Sequence, residues 1–188
     1  DAKGKKTGEL SGKDNSFYSP RNVVVDRRDN IYVADTGNSR IQIFSPEGVR
    51  LKSIGERGRG KGRFEEVFGI AINSKGEIFA ADPGNGKIHK FSPLPEPKIM
   101  GEVKVTGWKN NRPFWPHLAV DAQDRVWAVD GANRQLWVYD SQLKYLGTMG
   151  GVPGRELFAN PMSLTFGPDG SLYVSDMGKQ GWLKIGNI

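Results

Sequence analysis

The stretch FYSPRNVVVDRRDNIYVADTGNSRIQIF, residues 17–44, decides the fold because the chain repeats its pattern three more times. Each copy has one apolar run, a second run that ends in aspartate, and a third run of alternating apolar residues. The closing aspartates follow one another at intervals of 47, 48 and 46 residues: Asp35, Asp82, Asp130 and Asp176. A period of about 40 to 50 residues is typical of one four-stranded propeller blade.

The apolar runs themselves indicate strands rather than helices. They are short and rich in β-branched and aromatic residues, and they alternate apolar with polar positions, as Ile41 and Ile43 do on either side of Gln42. A helical repeat of similar length would need apolar residues at a spacing of 3.6. We therefore predict an all-β fold, a β-propeller of four-stranded antiparallel blades.

Composition agrees with this prediction and excludes some functions. The 188 residues include 25 glycines and 11 prolines, which suits a chain that turns every few residues. With no cysteine, the chain has no disulfide framework, thiolate metal site or thiol nucleophile. No apolar stretch approaches the roughly 20 residues of a membrane-spanning helix, so we expect no direct membrane insertion.

The first copy resembles the NHL repeat, a β-propeller blade, over its whole length, and the other copies fill the same positions with gaps. The resemblance covers residues 8–186. It implies where each blade begins, and it implies that the chain starts and stops at different points of the repeat. Either residues 1–7 close the ring, or both ends are cuts through a larger propeller. We favour a segment of a six-bladed ring over a closed four-bladed one.

The expected units are residues 1–16 (end of a preceding blade or a closing strand, plus a loop), 17–63 (blade 1), 64–113 (blade 2, with an insertion at 93–112), 114–157 (blade 3) and 158–188 (blade 4, incomplete).

The residues that recur in every copy are expected to be structural. Asp and Asn form strong hydrogen bonds to local turns, so each closing aspartate is interpreted as an acceptor at the turn between the second and third strands. Arg40 belongs to the same network, because its guanidinium can pair with a carboxylate through two hydrogen bonds. A ring of cation ligands is the alternative for Asp35, Asp82, Asp130 and Asp176.

Function is expected where the copies differ. The residue that enters the inner strand is Arg21 in the first copy, Phe68 in the second, His117 in the third and Met162 in the fourth. On the predicted strand assignment these four residues ring one mouth of the central channel. Their mixed chemistry suits a ligand or partner surface better than a metal cage.

A basic, glycine-rich loop is the strongest local charge signal. The formal charge of +6 lies wholly in residues 1–64, which hold 14 Lys and Arg against 8 Asp and Glu. Within this region Arg57, Arg59, Lys61 and Arg63 alternate with glycine. Such a loop can follow a phosphate backbone, and some animal NHL proteins bind RNA on one face of the ring. The alternative is a solvated loop between blades.

Tryptophans and histidines give the remaining candidates. Trp108 and Trp115 lie in loop sequence next to the insertion and are expected to anchor an interface, whereas Trp127 and Trp137 are expected to pack in the core. Of the two histidines, His89 is expected to be a partly exposed strand residue. Some NHL-type propellers are lyases that hold zinc with several histidines, but two histidines on different kinds of strand cannot rebuild that site.

We therefore expect a non-enzymatic NHL-type propeller that serves as a binding scaffold for a protein or another macromolecule. The partner is a separate protein or the remainder of a larger propeller chain, with no cofactor, no metal and no catalytic residue in this segment. The sequence has no nucleophile elbow, phosphate loop or metalloprotease helix. Two alternatives remain: an RNA-binding propeller that uses the loop at 50–63, and part of a lyase or hydrolase whose catalytic residues lie outside this segment. The resemblance to NHL-repeat proteins suggests an extracellular, periplasmic or envelope-associated location.

Overall fold

The computed structural model describes residues 8–10, 16–108 and 116–187 and folds them into four antiparallel sheets, so the predicted propeller fold is confirmed. Three sheets have four strands and the last has three. Blade 1 comprises β1 (Asn22–Val25), β2 (Ile31–Asp35), β3 (Arg40–Phe44) and β4 (Arg50–Ile54), and blade 2 comprises β5 (Ile70–Ile72), β6 (Ile78–Asp82), β7 (Lys87–Phe91) and β8 (Ile99–Lys104). Blade 3 comprises β9 (Leu118–Val120), β10 (Val126–Asp130), β11 (Gln135–Tyr139) and β12 (Tyr145–Gly150), and blade 4 comprises β13 (Pro161–Phe166), β14 (Ser171–Asp176) and β15 (Gly181–Asn187).

The register is the same in consecutive blades. The closing aspartate always faces the first residue of the third strand, as in the pairs Asp35–Arg40 and Asp82–Lys87. The pairing of the third and outer strands shifts at the same point in blades 1, 2 and 3. Such a bulge strengthens the twist of a blade. Equal spacing in sequence therefore places equivalent side chains at equivalent positions.

The core lies between blades rather than within them. One cluster joins blade 1 to blade 2 and includes Tyr32, Ile41 and Ile78; two more join blade 2 to blade 3 and blade 3 to blade 4. The inner strands β1, β5, β9 and β13 contact one another in that order. A single blade would leave its apolar faces exposed to water, so each blade is stable only when a neighbouring blade buries them.

The approach of the inner strands is close at one point between blades 2 and 3. A Cβ atom added to Gly69 would lie 2.7 Å from the carbonyl oxygen of Pro116 and 3.0 Å from the amide nitrogen of Leu118. On the other side of blade 2, the Asn22 side-chain oxygen accepts a hydrogen bond of 2.9 Å from the Ile70 amide. The channel wall is therefore tightly built.

The first and last blades of the described region do not pack against each other as consecutive blades do. Val23 is 60% exposed, whereas the equivalent residue of blade 2, Ile70, is buried. Trp182 in blade 4 is 69% exposed, whereas the equivalent residues Ile41 and Ile88 are buried. Residues 16–108 and 116–187 thus form an arc of blades and not a closed four-bladed ring. No helix in these residues is long and apolar enough to span a membrane.

One part of the chain differs from the sequence prediction. The segment 93–112 was expected to be an insertion, but it contains β8, the outer strand of blade 2. An outer strand contacts only one neighbour in its sheet, and two residues of β8, Met100 and Lys104, are exposed. Its sequence therefore lacks the continuous apolar run that marks an inner strand.

Candidate binding site at the channel mouth

The repeated aspartates are buried hydrogen-bond acceptors, and in blades 1, 2 and 4 they accept backbone N–H groups of the loop before the blade. Asp35 accepts hydrogen bonds from the Tyr18 amide at 2.7 Å, from the Asn38 side chain, from Arg40 Nε at 2.8 Å and from Gln42 Nε2 at 2.9 Å. Burial by itself would raise the pKa of Asp35, but these hydrogen bonds outweigh it and hold the pKa below its usual value. This carboxylate is therefore fully occupied by its own blade.

The other three aspartates make corresponding contacts. Asp82 accepts the backbone N–H groups of Glu65 and Glu66, and Asp176 accepts those of Ala159 and Asn160. Asp130 accepts from the side chains of Asn133, Gln135 and Trp137. Within the described part of the chain, no group of three or more His, Asp or Glu side chains is arranged to hold a metal ion.

Arg21 and Phe68 lie together at the entry to the inner strands. The Arg21 guanidinium carbon is 5.8 Å from the centroid of the Phe68 ring, a distance at which a cation and a ring attract each other. Both side chains line a groove of about 360 Å³ between blades 1 and 2. The complete lining is Ser19, Arg21, Thr36, Gly37, Arg57, Glu65, Glu66 and Phe68.

The other two predicted mouth residues lie farther along the same face. Met162 borders a shallow apolar hollow together with Trp108 and Pro116. His117 is partly buried, its carbonyl accepts a hydrogen bond of 3.1 Å from the Val129 amide, and burial lowers the pKa of its imidazole. The structure thus brings Arg21 and Phe68 into one groove and leaves Met162 in a separate hollow.

The basic loop contributes one residue to the groove. Arg57 lines it, and its Nη2 donates a hydrogen bond of 3.3 Å to the Gly37 carbonyl. Arg59 pairs with Glu65 at 3.3 Å, and Arg63 pairs with Glu56 at 2.7 Å. Lys61 is exposed, as are the three arginines. Part of the loop's positive charge is therefore balanced by neighbouring carboxylates.

Two expectations about single residues are corrected. Trp108 is only 7% exposed, and its indole N–H donates a hydrogen bond of 2.9 Å to the Val129 carbonyl, so it packs in the core between blades 2 and 3 and cannot anchor a partner. The large apolar ring gains more from burial there than from a solvent-exposed loop position. His89 is fully buried rather than partly exposed. Trp115 lies outside the described residues.

Sequence reasoning missed the acidic side of the groove and the partners of His89. Glu65 and Glu66 reach the groove because Asp82, at the end of β6 in the same blade, accepts hydrogen bonds from their amides. His89 lies directly opposite Glu102 in the pairing of β7 with β8. An earlier recognition of β8 as an outer strand would have placed these two residues together.

The fold and the repeated carboxylate turns define a β-propeller whose blades are built on one pattern. Residues 17–44 match the family model of the NHL repeat, so the chain contains an NHL repeat in a propeller fold. A stretch of 54 residues is 43% identical to Protein brain tumor of Drosophila melanogaster, and it covers 29% of this chain and 5% of that protein.

Solved structures agree on the fold. A streptogramin B lyase structure superposes with a TM-score of 0.66 at 18% identity and covers 87% of this chain and 50% of that one. A putative gluconolactonase superposes with a TM-score of 0.67 at 18% identity and covers 94% of this chain and 61% of that one. The chain spans only part of the length of these proteins. At this identity the likeness concerns the fold alone.

Proposed function

We propose that this propeller is a non-enzymatic scaffold that binds a protein partner at the channel-mouth groove. The observation that carries the proposal is the grouping of Arg21, Arg57 and Phe68 around one concave surface between two blades. Arginine side chains are enriched among the residues that dominate binding energies, and both arginines are exposed. Arg21 and Phe68 lie at the entries to the inner strands β1 and β5, and buried carboxylates hold both blades.

The charge of the groove favours a protein over RNA. Glu65 and Glu66 line it beside the two arginines, so a polyanion would meet carboxylates at the same surface. A polypeptide can offer both signs of charge, whereas Phe68, which is only 8% exposed, supports Arg21 from beneath the surface. Of the three basic residues that follow Arg57 in the loop, Arg59 and Arg63 are already paired with carboxylates.

The test uses peptides selected from a phage-displayed random library on the 188-residue protein. Arg21 precedes β1 and Arg27 follows it, so the two residues lie at opposite ends of this inner strand. Arg21→Ala and Arg27→Ala therefore each remove one exposed arginine side chain, but from opposite faces of the propeller. We expect Arg21→Ala to weaken the selected peptides on the order of tenfold, as for a central arginine contact. Arg27→Ala is expected to change the affinity less than about twofold.

Three results would contradict the proposal: no peptide is enriched, both variants weaken binding equally, or neither does. A homopolymeric RNA, poly(U), serves as the second probe. Binding of poly(U) that is tighter than that of the peptides and falls steeply with added salt would favour the RNA-binding alternative instead.

A further inference from the structure

His89 is completely buried between two carboxylates on neighbouring strands. Its Nδ1 lies 3.0 Å from Glu102 Oε1, and its Nε2 lies 3.4 Å from Asp82 Oδ2. Neither contact has the angles of a hydrogen bond, so both ring nitrogens are buried without a directional partner. Around the ring stand Phe64, edge-on with centroids 5.0 Å apart, and Phe91, stacked at 6.3 Å.

The charge balance of this cluster depends on the protonation of His89. The charged groups that face it are Asp82 from β6, Glu102 from β8 and Lys87 from its own strand, whose Nζ lies 3.0 Å from Glu102 Oε2. With an imidazolium the cluster has two positive and two negative charges. With a neutral ring it keeps a buried negative charge, and a nitrogen lone pair faces a carboxylate, which is costly in a buried site.

Comparison between blades shows that this arrangement is special to blade 2. The residue seven positions after the closing aspartate is Gln42 in blade 1, and its amide donates to Asp35 at 2.9 Å. Gln42 faces Ser53 across the outer strand pair, whereas His89 faces Glu102 at the same position. Blade 2 has therefore replaced a neutral pair by a titratable one.

Both carboxylates that flank His89 hold the backbone of the basic loop and its exit. Glu102 Oε1 accepts the Gly62 amide at 3.1 Å. Asp82 accepts the amides of Glu65 and Glu66 at 3.1 and 3.0 Å. The side chain of Glu65 pairs with Arg59. His89 thus stands between the two anchors of residues 62–66.

We propose that His89 is a pH-sensitive latch: its protonated ring holds Glu102 and Asp82 in place, and its deprotonation releases Gly62 and loosens the basic loop. Histidine is the side chain whose charge changes near neutral pH. The loop is held at low pH and freed as pH rises. Because Arg57 belongs to this loop and lines the channel-mouth groove, the consequence for ligand binding rests on the proposed function, whereas the latch itself needs no ligand.

The test is NMR spectroscopy of the ¹⁵N-labelled 188-residue protein between about pH 5 and 8. We expect the Gly62 amide to shift with the same midpoint as the His89 ring nitrogens. Protection of the Gly62 amide from hydrogen exchange, corrected for the intrinsic pH dependence, should fall on the order of tenfold across that midpoint, because a hydrogen bond to a carboxylate is lost.

Two matched variants locate the effect. His89→Gln copies the donor of blade 1 and cannot titrate, so the Gly62 shift should become independent of pH. His117→Gln removes the only other histidine of the chain and should leave the Gly62 titration unchanged. The proposal is overturned if Gly62 stays constant while the His89 ring titrates, if the ring does not change charge in this range, or if Gly62 follows His117. Even if a variant fails to fold, comparing the His89 ring titration with the Gly62 amide titration in the wild-type protein tests the proposal.

Discussion

Replacing Asp35 by alanine should destabilise the protein more than any other single carboxylate change in blade 1. The substitution leaves the Tyr18 amide, Arg40 Nε and Gln42 Nε2 without the acceptor that each has at 2.9 Å or less. Breaking a buried charge pair by removing one partner costs about 3–5 kcal/mol. Against a total stability of about 5–15 kcal/mol this is a large fraction, with a fall in Tm on the order of 10 °C.

Urea unfolding followed by circular dichroism measures this loss, with Glu47→Ala as the matched control. Glu47 is an exposed carboxylate of the same blade, whose side chain accepts from the neighbouring Ser45 hydroxyl. Its removal should change the free energy of unfolding by less than about 0.5 kcal/mol. A loss below about 1 kcal/mol for Asp35→Ala, or equal losses for both variants, would refute the view that this carboxylate ties the blade to the preceding loop.

Three further predictions follow from the same contacts. Phe158→Ala removes a fully buried ring from the core between blades 3 and 4 and should cost about 3–5 kcal/mol in urea unfolding; a loss under about 1 kcal/mol would contradict that packing. Gly69→Ala places a methyl group 2.7 Å from the Pro116 carbonyl and should cost about 1–3 kcal/mol, whereas Gly147→Ala, with open space around it, should cost less than about 0.5 kcal/mol. Asp35 and Asp176 have lowered pKa values because their hydrogen bonds outweigh the opposing effect of burial, so their contribution to stability is present above the ordinary aspartate pKa of about 3.9 and is lost as pH falls through the lowered folded-state values. Acid titration followed by circular dichroism checks this, and stability that does not change below about pH 4 would oppose it.

The fold could be predicted from the sequence because four copies of the repeat carry the same pattern of strand and turn residues. Each copy marks an inner strand by an apolar run and the end of the second strand by aspartate, and the register of β2 with β3 recurs in β6 with β7. The outer strand of blade 2 escaped prediction because an outer strand is half-exposed and carries little periodic signal. Trp108 was misplaced with it, since it follows that strand and turns inward.

The groove could be predicted only in part. Arg21 and Phe68 were found because they occupy equivalent positions of consecutive copies, and equivalent positions are adjacent around the channel. Glu65 and Glu66 were missed because their placement depends on hydrogen bonds from their amides to Asp82, 17 and 16 residues later in the same blade.

The aspartate turns show that variation between copies does not by itself indicate function. Gln42, His89 and Trp137 occupy one position, seven residues after the closing aspartate, and each directs a nitrogen toward that carboxylate at 2.9, 3.4 and 2.9 Å. Gln42 and Trp137 donate a hydrogen bond to that carboxylate, whereas the His89 nitrogen lies near it without hydrogen-bond geometry. What separates His89 from the other two is its partner across the strand, since Glu102 stands where the others face Ser53 and Thr148. Two simultaneous changes at facing positions, which together add a titratable pair, are a stronger sign of a specific role than either change alone.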